Sequence, residues 1–556
     1  MKKDTLLSTA KALAVLILLN VLGNLFYDRL DLTEDKRYTL SEPGVNSVLD
    51  FEKPVIIDVL LDGNLPSEFV KLKIETQQLL AEFASKNKNI KFNFLDPLAN
   101  VEDTDAVFAQ LQRIGLKPAN VTVEENGKVS QEIVFPWAMV NYGEKTVKVS
   151  LLKNTLGASQ EERINNSVQH LEYGFADAFS KLKLVDKKSV AVIKGNGELD
   201  DIYLADYLSS IREYYNIGAI TMDSVASSPQ KVLDQLKNYD LALIAKPTER
   251  FTDDEKYVLD QYIMNGGKSI WLIDKVAMEL DSLFNETGSN LAIQRDLNLD
   301  DFFFKYGVRI NPVLVNDMYF TQIVLASGEG NDSQFNPLPW YFNPMVFSKN
   351  DHPINNNLEA LRMQFANSID TLPNTYDKTV LYSSSPLSKT VGIPTKISLD
   401  IINIPPKKES YTNGNKPLAV LIEGRFVSAF KNRIKPVQLK GVKEESSIEN
   451  KMLVVADGDV IKNQIKNGQP LELGYDKWTN NFFGNKEFLM NSINYLLDDT
   501  GLINIRNKRV AIPLLDTKKI ENQKTKWQLV NIGLPLVLTV LFGLAFNYIR
   551  KKKYSK

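Results

Sequence analysis

The sequence predicts an α/β protein in which two terminal membrane helices flank a large exported region built from two α/β parts. Three observations carry this. Short β-branched runs alternate with amphipathic stretches between about residues 51 and 500, a long uncharged run lies near the C-terminus, and a shorter apolar run lies near the N-terminus. The chain has 556 residues, too many for one ordinary core. Its 44% hydrophobic and 24% charged content matches soluble globular protein, which excludes both a disordered chain and a polytopic transporter.

The C-terminal run, 527–549, contains no charged residue. As a helix it spans roughly 34 Å, enough to cross a hydrocarbon core of ~30 Å. Trp527 and Tyr548 mark its ends, and the basic tail 550–556 follows with Arg550, Lys551, Lys552 and Lys553. The N-terminal candidate, 5–27, has an uncharged apolar stretch only from Ala12 to Phe26, interrupted by Asn20 and Asn24, with Lys11 able to snorkel. A cleaved signal peptide is the rival reading, with Lys2 and Lys3 as its basic region. Val21-Leu22-Gly23 is a mediocre cleavage site, so an uncleaved anchor is expected. Two spans put both termini on one side, and the basic tail assigns that side to the cytoplasm.

A juxtamembrane segment, 28–50, leads in, with Thr39 or Ser41 placed to cap a helix near Pro43. The first α/β part, 51–186 with its connecting helix, begins with strands at Val55–Leu61 and Ile90–Leu95 around a helix from Pro66 to Ser85. Asn120–Val123, Gln131–Val134 and Met139–Tyr142 read as an antiparallel meander. The outline is similar to thioredoxin, without its CxxC. The second part, 187–500, has buried strands at Ser189–Ile193, Leu241–Ile244 and Lys268–Ile273. Helices between them, at Leu204–Glu213 and Asp253–Met264, imply a doubly wound parallel sheet. Thr252 and Glu255 form a capping box for the second helix. Leu418–Ile422 and Met452–Ala456 return to that sheet, followed by a helix at Asn485–Leu497. A Pro- and Asn-rich insertion is expected over about 311–417, an exposed charged loop over Lys431–Lys451, and a linker over 501–526.

Composition removes several chemistries. With no cysteine there is no disulfide, thiol nucleophile or Cys-ligated metal, and only two histidines, His170 and His352, remain for acid–base work. A net charge of −2 gives no basic excess for nucleic acid. Gly266-Gly267-Lys268-Ser269 lacks the first glycine of a P-loop, where Tyr262 stands, and it runs from helix to strand. No cofactor, metal or catalytic residue is expected. Two loops remain as binding candidates. Gly195-Asn196-Gly197-Glu198 follows a strand at the end where open α/β sheets bind ligands, although a tight turn explains it as well. Asp457 and Asp459 flank Gly458 after another strand and read as a turn with solvated acids. Glu161-Glu162 and Asp253-Asp254-Glu255 read as solvated helix starts, and Trp340-Tyr341-Phe342 as either a docking patch or a local core.

The juxtamembrane run holds Arg29, Asp31, Leu32, Thr33, Arg37, Tyr38, Thr39 and Ser41 in an R-x-D-L-T-E-x-x-R-Y-T-L-S-like pattern. It resembles the start of the gliding-motility-associated ABC-transporter auxiliary proteins, the so-called substrate-binding components, of Bacteroidetes. The resemblance continues at Gly195–Glu198, where relatives often carry G-H-G-E and this chain has Asn196, at Met452–Asp459 and at Gly484–Phe488. It implies an inner-membrane protein with a periplasmic bulk that works with a separate ABC ATPase and a multispan permease. A periplasmic protein or polysaccharide is the implied cargo. The expected function is therefore a non-enzymatic accessory subunit. A membrane-tethered enzyme at the sheet end, or a structural scaffold of the motility or secretion apparatus, are the alternatives.

Overall fold

The computed structural model describes residues 11, 13–18, 20, 31, 39–99, 101, 103–125, 128–153, 158–184, 186–327, 334–508 and 517–554. By internal contacts the chain forms two units, Met1–Arg509 and Val510–Lys556.

The first unit begins with helix α1 (Glu42–Leu49), capped by the Ser41 hydroxyl, which accepts from the Gly44 amide. Strands β1 (Val55–Val59) and β2 (Ile90–Phe94) pair in parallel around helix α2 (Ser67–Lys86). Helix α3 (Thr104–Arg113) precedes a hairpin, β3 (Ala119–Glu125) and β4 (Lys128–Val134), which forms its own two-stranded sheet. Strand β5 (Trp137–Tyr142) leaves that hairpin, because Pro136 interrupts the run, and pairs antiparallel with β1 and with β6 (Lys145–Ser150). The expected meander is thus two separate hairpins, and the four-stranded sheet has the order β2-β1-β5-β6. Helix α4 (Gln160–Lys183) opens with a Ser159–Glu162 capping box and packs across α1, α2 and β6.

Strands β7 (Ser189–Lys194), β8 (Asn216–Thr221), β9 (Leu241–Ala245) and β10 (Lys268–Leu272) lie parallel. Among these, β8 and the helix Pro229–Leu236 went unread in the sequence because both are short and polar on one face. The chain then builds a β-rich region that includes β11 (Val313–Asp317), β12 (Phe320–Ser327), β13 (Gln334–Val346), β14 (Asp377–Ser383), β15 (Ser388–Gly392) and β16 (Thr395–Ser398). One of them, β14, joins the main sheet, so the insertion is not a separate body. It pairs with β17 (Pro417–Gly424), which pairs with β18 (Asn450–Val455). The seven-stranded order is β14-β17-β18-β10-β9-β7-β8, and β17 runs antiparallel to its neighbours, so the sheet is mixed rather than wholly parallel.

Side chains along each strand alternate between two cores. Ala242, Ile244, Trp271 and Val454 face one cluster, and Leu241, Leu243, Ile270 and Leu453 face the other. Helices α5 (Asp201–Arg212) and α9 (Asn485–Leu497) cover the second face; α7 (Asp253–Met264), with α6 (Pro229–Leu236) and α8 (Asp300–Tyr306), covers the first. A sheet covered on both faces explains why its strands read as continuous apolar runs. Trp340 and Phe342 are buried against Phe365, which makes their segment core and not a docking patch. The charged stretch 431–451 is partly docked. Gln261 exchanges hydrogen bonds of 2.8 and 2.9 Å with the Lys443 backbone, and Ser446 and Asn450 are buried.

The second unit is a helix, α10 (Thr517–Tyr554). Among the described residues it is the one helix long and apolar enough to cross a membrane, over Gln523–Lys553, with none of its most apolar stretch buried. Pro535 lies within it, and the Thr539 hydroxyl donates to the Pro535 carbonyl at 2.8 Å. Most of the expected N-terminal span, 5–27, lies outside the described residues. Within it residues 13–18 are helical, and Leu13, Leu16 and Leu18 are exposed.

Candidate functional site: the charged end of the main sheet

Strands β9, β10 and β18 end in register, with Leu272 opposite both Ala245 and Val455. The next residues of each strand therefore converge on one edge: Lys246, Asp274 and Asp457. Lys246 sits at φ +55°, a left-handed conformation uncommon for a residue with a Cβ, and its amide donates to the Leu272 carbonyl at 2.9 Å. Its ammonium is 3% exposed and lies 2.6 Å from Asp459, 2.7 Å from Glu279 and 3.3 Å from Asp274. Asp274 accepts from the Gly458 amide at 2.6 Å, and Asp457 accepts from the Gln364 and Asp459 amides at 2.7 Å each. Gly458 has to be glycine, since a Cβ there would collide with the Lys246 stem.

Asp457 and Asp459 are thus buried, 0% and 8% exposed, and the reading of a turn with solvated acids is overturned. The cause is tertiary: the loop after β18 folds back under Lys246. Lys246 pairs with two of the three buried aspartates, Asp274 and Asp459, and with Glu279, and their protonation divides accordingly. Burial, then the neighbouring Asp274 and Asp459, pushes the Asp457 carboxyl well above its usual range. Burial raises Asp274 to about 6 against the pull of Lys246. At Asp459 burial is outweighed by Lys246 and Lys462, which hold it below the ordinary carboxylate value. At Lys246 the three carboxylates outweigh burial and raise the ammonium's pKa.

The predicted loop after β7 follows the strand next to β9 in the sheet order. Gly195 and Gly197 adopt φ of +112° and +70°, and a Cβ on Gly197 would strike the Thr248 hydroxyl. Asn196 is buried: its carbonyl accepts from the Thr248 and Glu249 amides at 2.9 Å each, and its side-chain amide donates to Glu255 at 3.1 Å. Glu255, read as part of a solvated helix start, is therefore buried, and it also closes the capping box with Thr252. Glu198 accepts from the Asn196 amide at 2.9 Å, and burial pushes its carboxyl up. Among the described residues, Asn196 Oδ1 and Glu198 Oε1 have no hydrogen-bond partner. Segment 246–249 connects the two candidate loops, binding Asn196 through Thr248 and Glu249 and Asp459 through Lys246.

An open cleft of about 350 Å³ adjoins this cluster, lined in part by Glu279, Arg362, Lys462, Gln464, Asp476 and Trp478. Glu279 and Lys462 belong to both, so the buried charges form its back wall. Arg362 lies 3.5 Å from Asp476, its Nε has no partner among the described residues, and burial lowers its pKa despite that carboxylate. Lys246, Asp274, Glu279 and Arg362 were missed by sequence reasoning. The first two carry a readable signal, a charged residue one or two places beyond an apolar strand, in LALIAK and SIWLID.

Neither histidine lines the cleft. His170 Nδ1 lies 3.5 Å from Arg506 Nη1, and burial keeps its ring well below the ordinary value. His352 Nδ1 accepts from the Ile354 amide at 3.3 Å, and burial brings its pKa to about 4. Among the described residues no group of three or more His, Cys, Asp or Glu is arranged to hold a metal ion. Of the juxtamembrane motif, Arg29, Leu32, Thr33, Arg37 and Tyr38 lie outside the described residues. Thr39 donates to Asp31 at 3.0 Å, and the Ser41 amide donates to buried Glu172 at 2.7 Å. Lys508 joins the same group, 2.6 Å from Glu172 and 2.7 Å from the Thr39 carbonyl.

Residues 187–492 match the family described as an ABC-type uncharacterized transport system, and residues 34–141 match a domain family of unknown function. No curated protein matches the chain. Among solved structures it is similar to the mmIFT52 N-terminal domain, with 12% identity, a TM-score of 0.33, and coverage of 56% of this chain and 99% of the other. A cytoplasmic protein from Salmonella typhimurium gives 12% identity and a TM-score of 0.27, covering 55% and 98%.

Proposed function

Because the chain belongs to the auxiliary family of ABC-type transport systems, we propose that it is a membrane-anchored, non-catalytic subunit of such a transporter, of the type required for gliding motility in Bacteroidetes. The observation that carries the reading is the family match over 187–492, the region that builds the seven-stranded sheet and its charged end. The apolar Gln523–Lys553 helix supports an inner-membrane anchor. A second span at 5–27 completes the proposed topology, with both tails cytoplasmic and the bulk periplasmic. A separate ABC ATPase and a multispan permease are the proposed partners, and a periplasmic protein or polysaccharide the cargo. The order β2-β1-β5-β6, with β1 and β2 parallel and β5 antiparallel, supports the thioredoxin-like reading of 51–186. Gly195, Asn196, Gly197, Glu198, Asp457 and Asp459 are proposed to shape the binding end of the region 187–500, the aspartates from beneath as its buried wall.

The test is affinity purification from gently solubilised membranes, with mass spectrometry of what co-elutes. Stoichiometric recovery of an ABC ATPase and a multispan permease is expected. Recovery of this chain alone, under conditions that keep a known transporter intact, would overturn the reading.

A further inference from the structure

A second cavity, away from the charged sheet end, lies between the β-rich region and the segment 399–411 that crosses it. Its volume is about 490 Å³, within the range of roughly 300–1,000 Å³ typical of small-ligand sites. Its floor is apolar, formed by Phe342, Val391, Ile397 and Ile401. Ile404, 63% exposed, stands at the cavity as an apolar side chain with nothing to cover it.

The polar groups around this floor are unequal in charge. Lys389, Lys396 and Lys407 line the cavity, against one carboxylate, Asp400. Asp400 is occupied at the start of a short 3₁₀ turn, where it accepts from the Ser398 hydroxyl at 2.9 Å. Lys389 donates to the Ser410 hydroxyl at 3.1 Å and rests 4.4 Å from the Tyr411 ring centroid. Lys396 and Lys407 have no ion-pair partner among the described residues. Tyr411 is 5% exposed and donates to Asn316 at 2.6 Å, so the polar part of the lining is fixed. Elsewhere in this fold the buried lysines meet carboxylates, as Lys246 and Lys153 do. Here an apolar floor is rimmed by three lysines against one carboxylate, a net positive rim that complements a molecule with an apolar chain and an anionic head.

We infer that the cavity bounded by Phe342, Ile397 and Ile401 and rimmed by Lys389, Lys396 and Lys407 binds an anionic amphiphile, an acyl chain ending in a carboxylate or phosphate. The chain lies on the apolar floor and the head is met by the lysine ammoniums. A free fatty acid and an anionic lipid present this same chemistry. The inference is independent of the transporter reading, which co-purification tests separately.

The full chain in nanodiscs of neutral lipid is titrated with decanoate carrying ¹³C at the carboxyl carbon, with empty nanodiscs subtracted. Decyl phosphate, decanol and inorganic phosphate serve as competitors. Saturable binding of decanoate is expected, with decanol at least about tenfold weaker. Stronger competition by decyl phosphate would assign the head to a lipid phosphate; weaker competition would assign it to a fatty acid. Lys396→Gln with Lys407→Gln, both at exposed positions, is expected to abolish the preference for the acid over the alcohol. Val391→Phe, which fills the floor, is expected to weaken decanoate and decanol together. Absence of saturable binding overturns the proposal. So does decanol binding as tightly as decanoate, or inorganic phosphate displacing decanoate as well as decyl phosphate does.

Discussion

Two buried charge clusters in the first unit carry opposite excesses, and comparing them shows how burial settles which group stays neutral. At the sheet end, Lys246 pairs with Asp274 and Asp459, and the third buried aspartate, Asp457, is pushed toward its protonated form by burial and by those two neighbours. In the basic cluster Lys153 pairs with Glu487, and His170 is pushed toward its neutral form by burial and by Lys153 and Arg506. In each cluster the member without an opposite partner is pushed toward its neutral form, because an unpaired charge in a low-dielectric interior costs more than a proton transfer. The clusters also differ in use. The acidic one backs an open cleft, whereas Arg506 spends its guanidinium on the Pro353 and Asn356 carbonyls and ties the 3₁₀ turn Leu502–Asn507 to that segment.

The largest expected effect breaks the acidic cluster. Lys246→Met leaves Asp274 and Asp459 facing each other in the interior and should cost roughly 3–5 kcal/mol in chemical denaturation. Retention of wild-type stability would mean that the aspartates are already neutral without it. Arg506→Met removes charged hydrogen bonds to two carbonyls and should cost about 2–3 kcal/mol. With Arg506 and its repulsion gone, His170 should also titrate at higher pH by NMR.

Acid response sharpens the comparison, since the clusters carry opposite signs. Asp274, raised from 3.8 to about 6, contributes stability below its unfolded value that is lost as pH rises through 6. His170 in the basic cluster, and His352 outside both clusters, are depressed, so their contribution is present above pH 6.5 and lost as pH falls, for His352 down to about 4. The opposing slopes partly cancel between about pH 4 and 6.5. Asp274→Asn should therefore make stability fall more steeply on acidification than in the wild type, and His352→Gln less steeply. Equal slopes in all three proteins would contradict the assignments. The smallest effect is expected at the loop after β7. Gly197→Ala meets both a positive φ and the Thr248 hydroxyl and should cost about 1–3 kcal/mol, read as a fall in denaturation midpoint.

Much of the fold was legible because its strands are buried on both faces. Runs such as Leu241–Ala245 and Met452–Val455 announce themselves by continuous apolarity, and the Thr252–Glu255 capping box marked its helix. β8 and β6 were not read, since they are half exposed and polar at alternate positions. The loops Gly195–Glu198 and Asp457–Asp459 were identified as the polar ends of strands, which is a local property. Their condition was not legible. Nothing within reach of Asp457 in sequence indicates that Lys246, more than 200 positions earlier, covers it.

The sequence by itself determined the α/β class, the order of the main elements, the apolar C-terminal helix and the absence of thiol chemistry. Each follows from residue type and spacing within a short window. Only the tertiary structure decided that β14 leaves the insertion for the main sheet, that the Asp457 turn is buried rather than solvated, and that Glu255 holds Asn196. Those outcomes depend on long-range strand order and on the energy of burying a charge beside a partner from another strand, and neither quantity exists until the sheet is assembled.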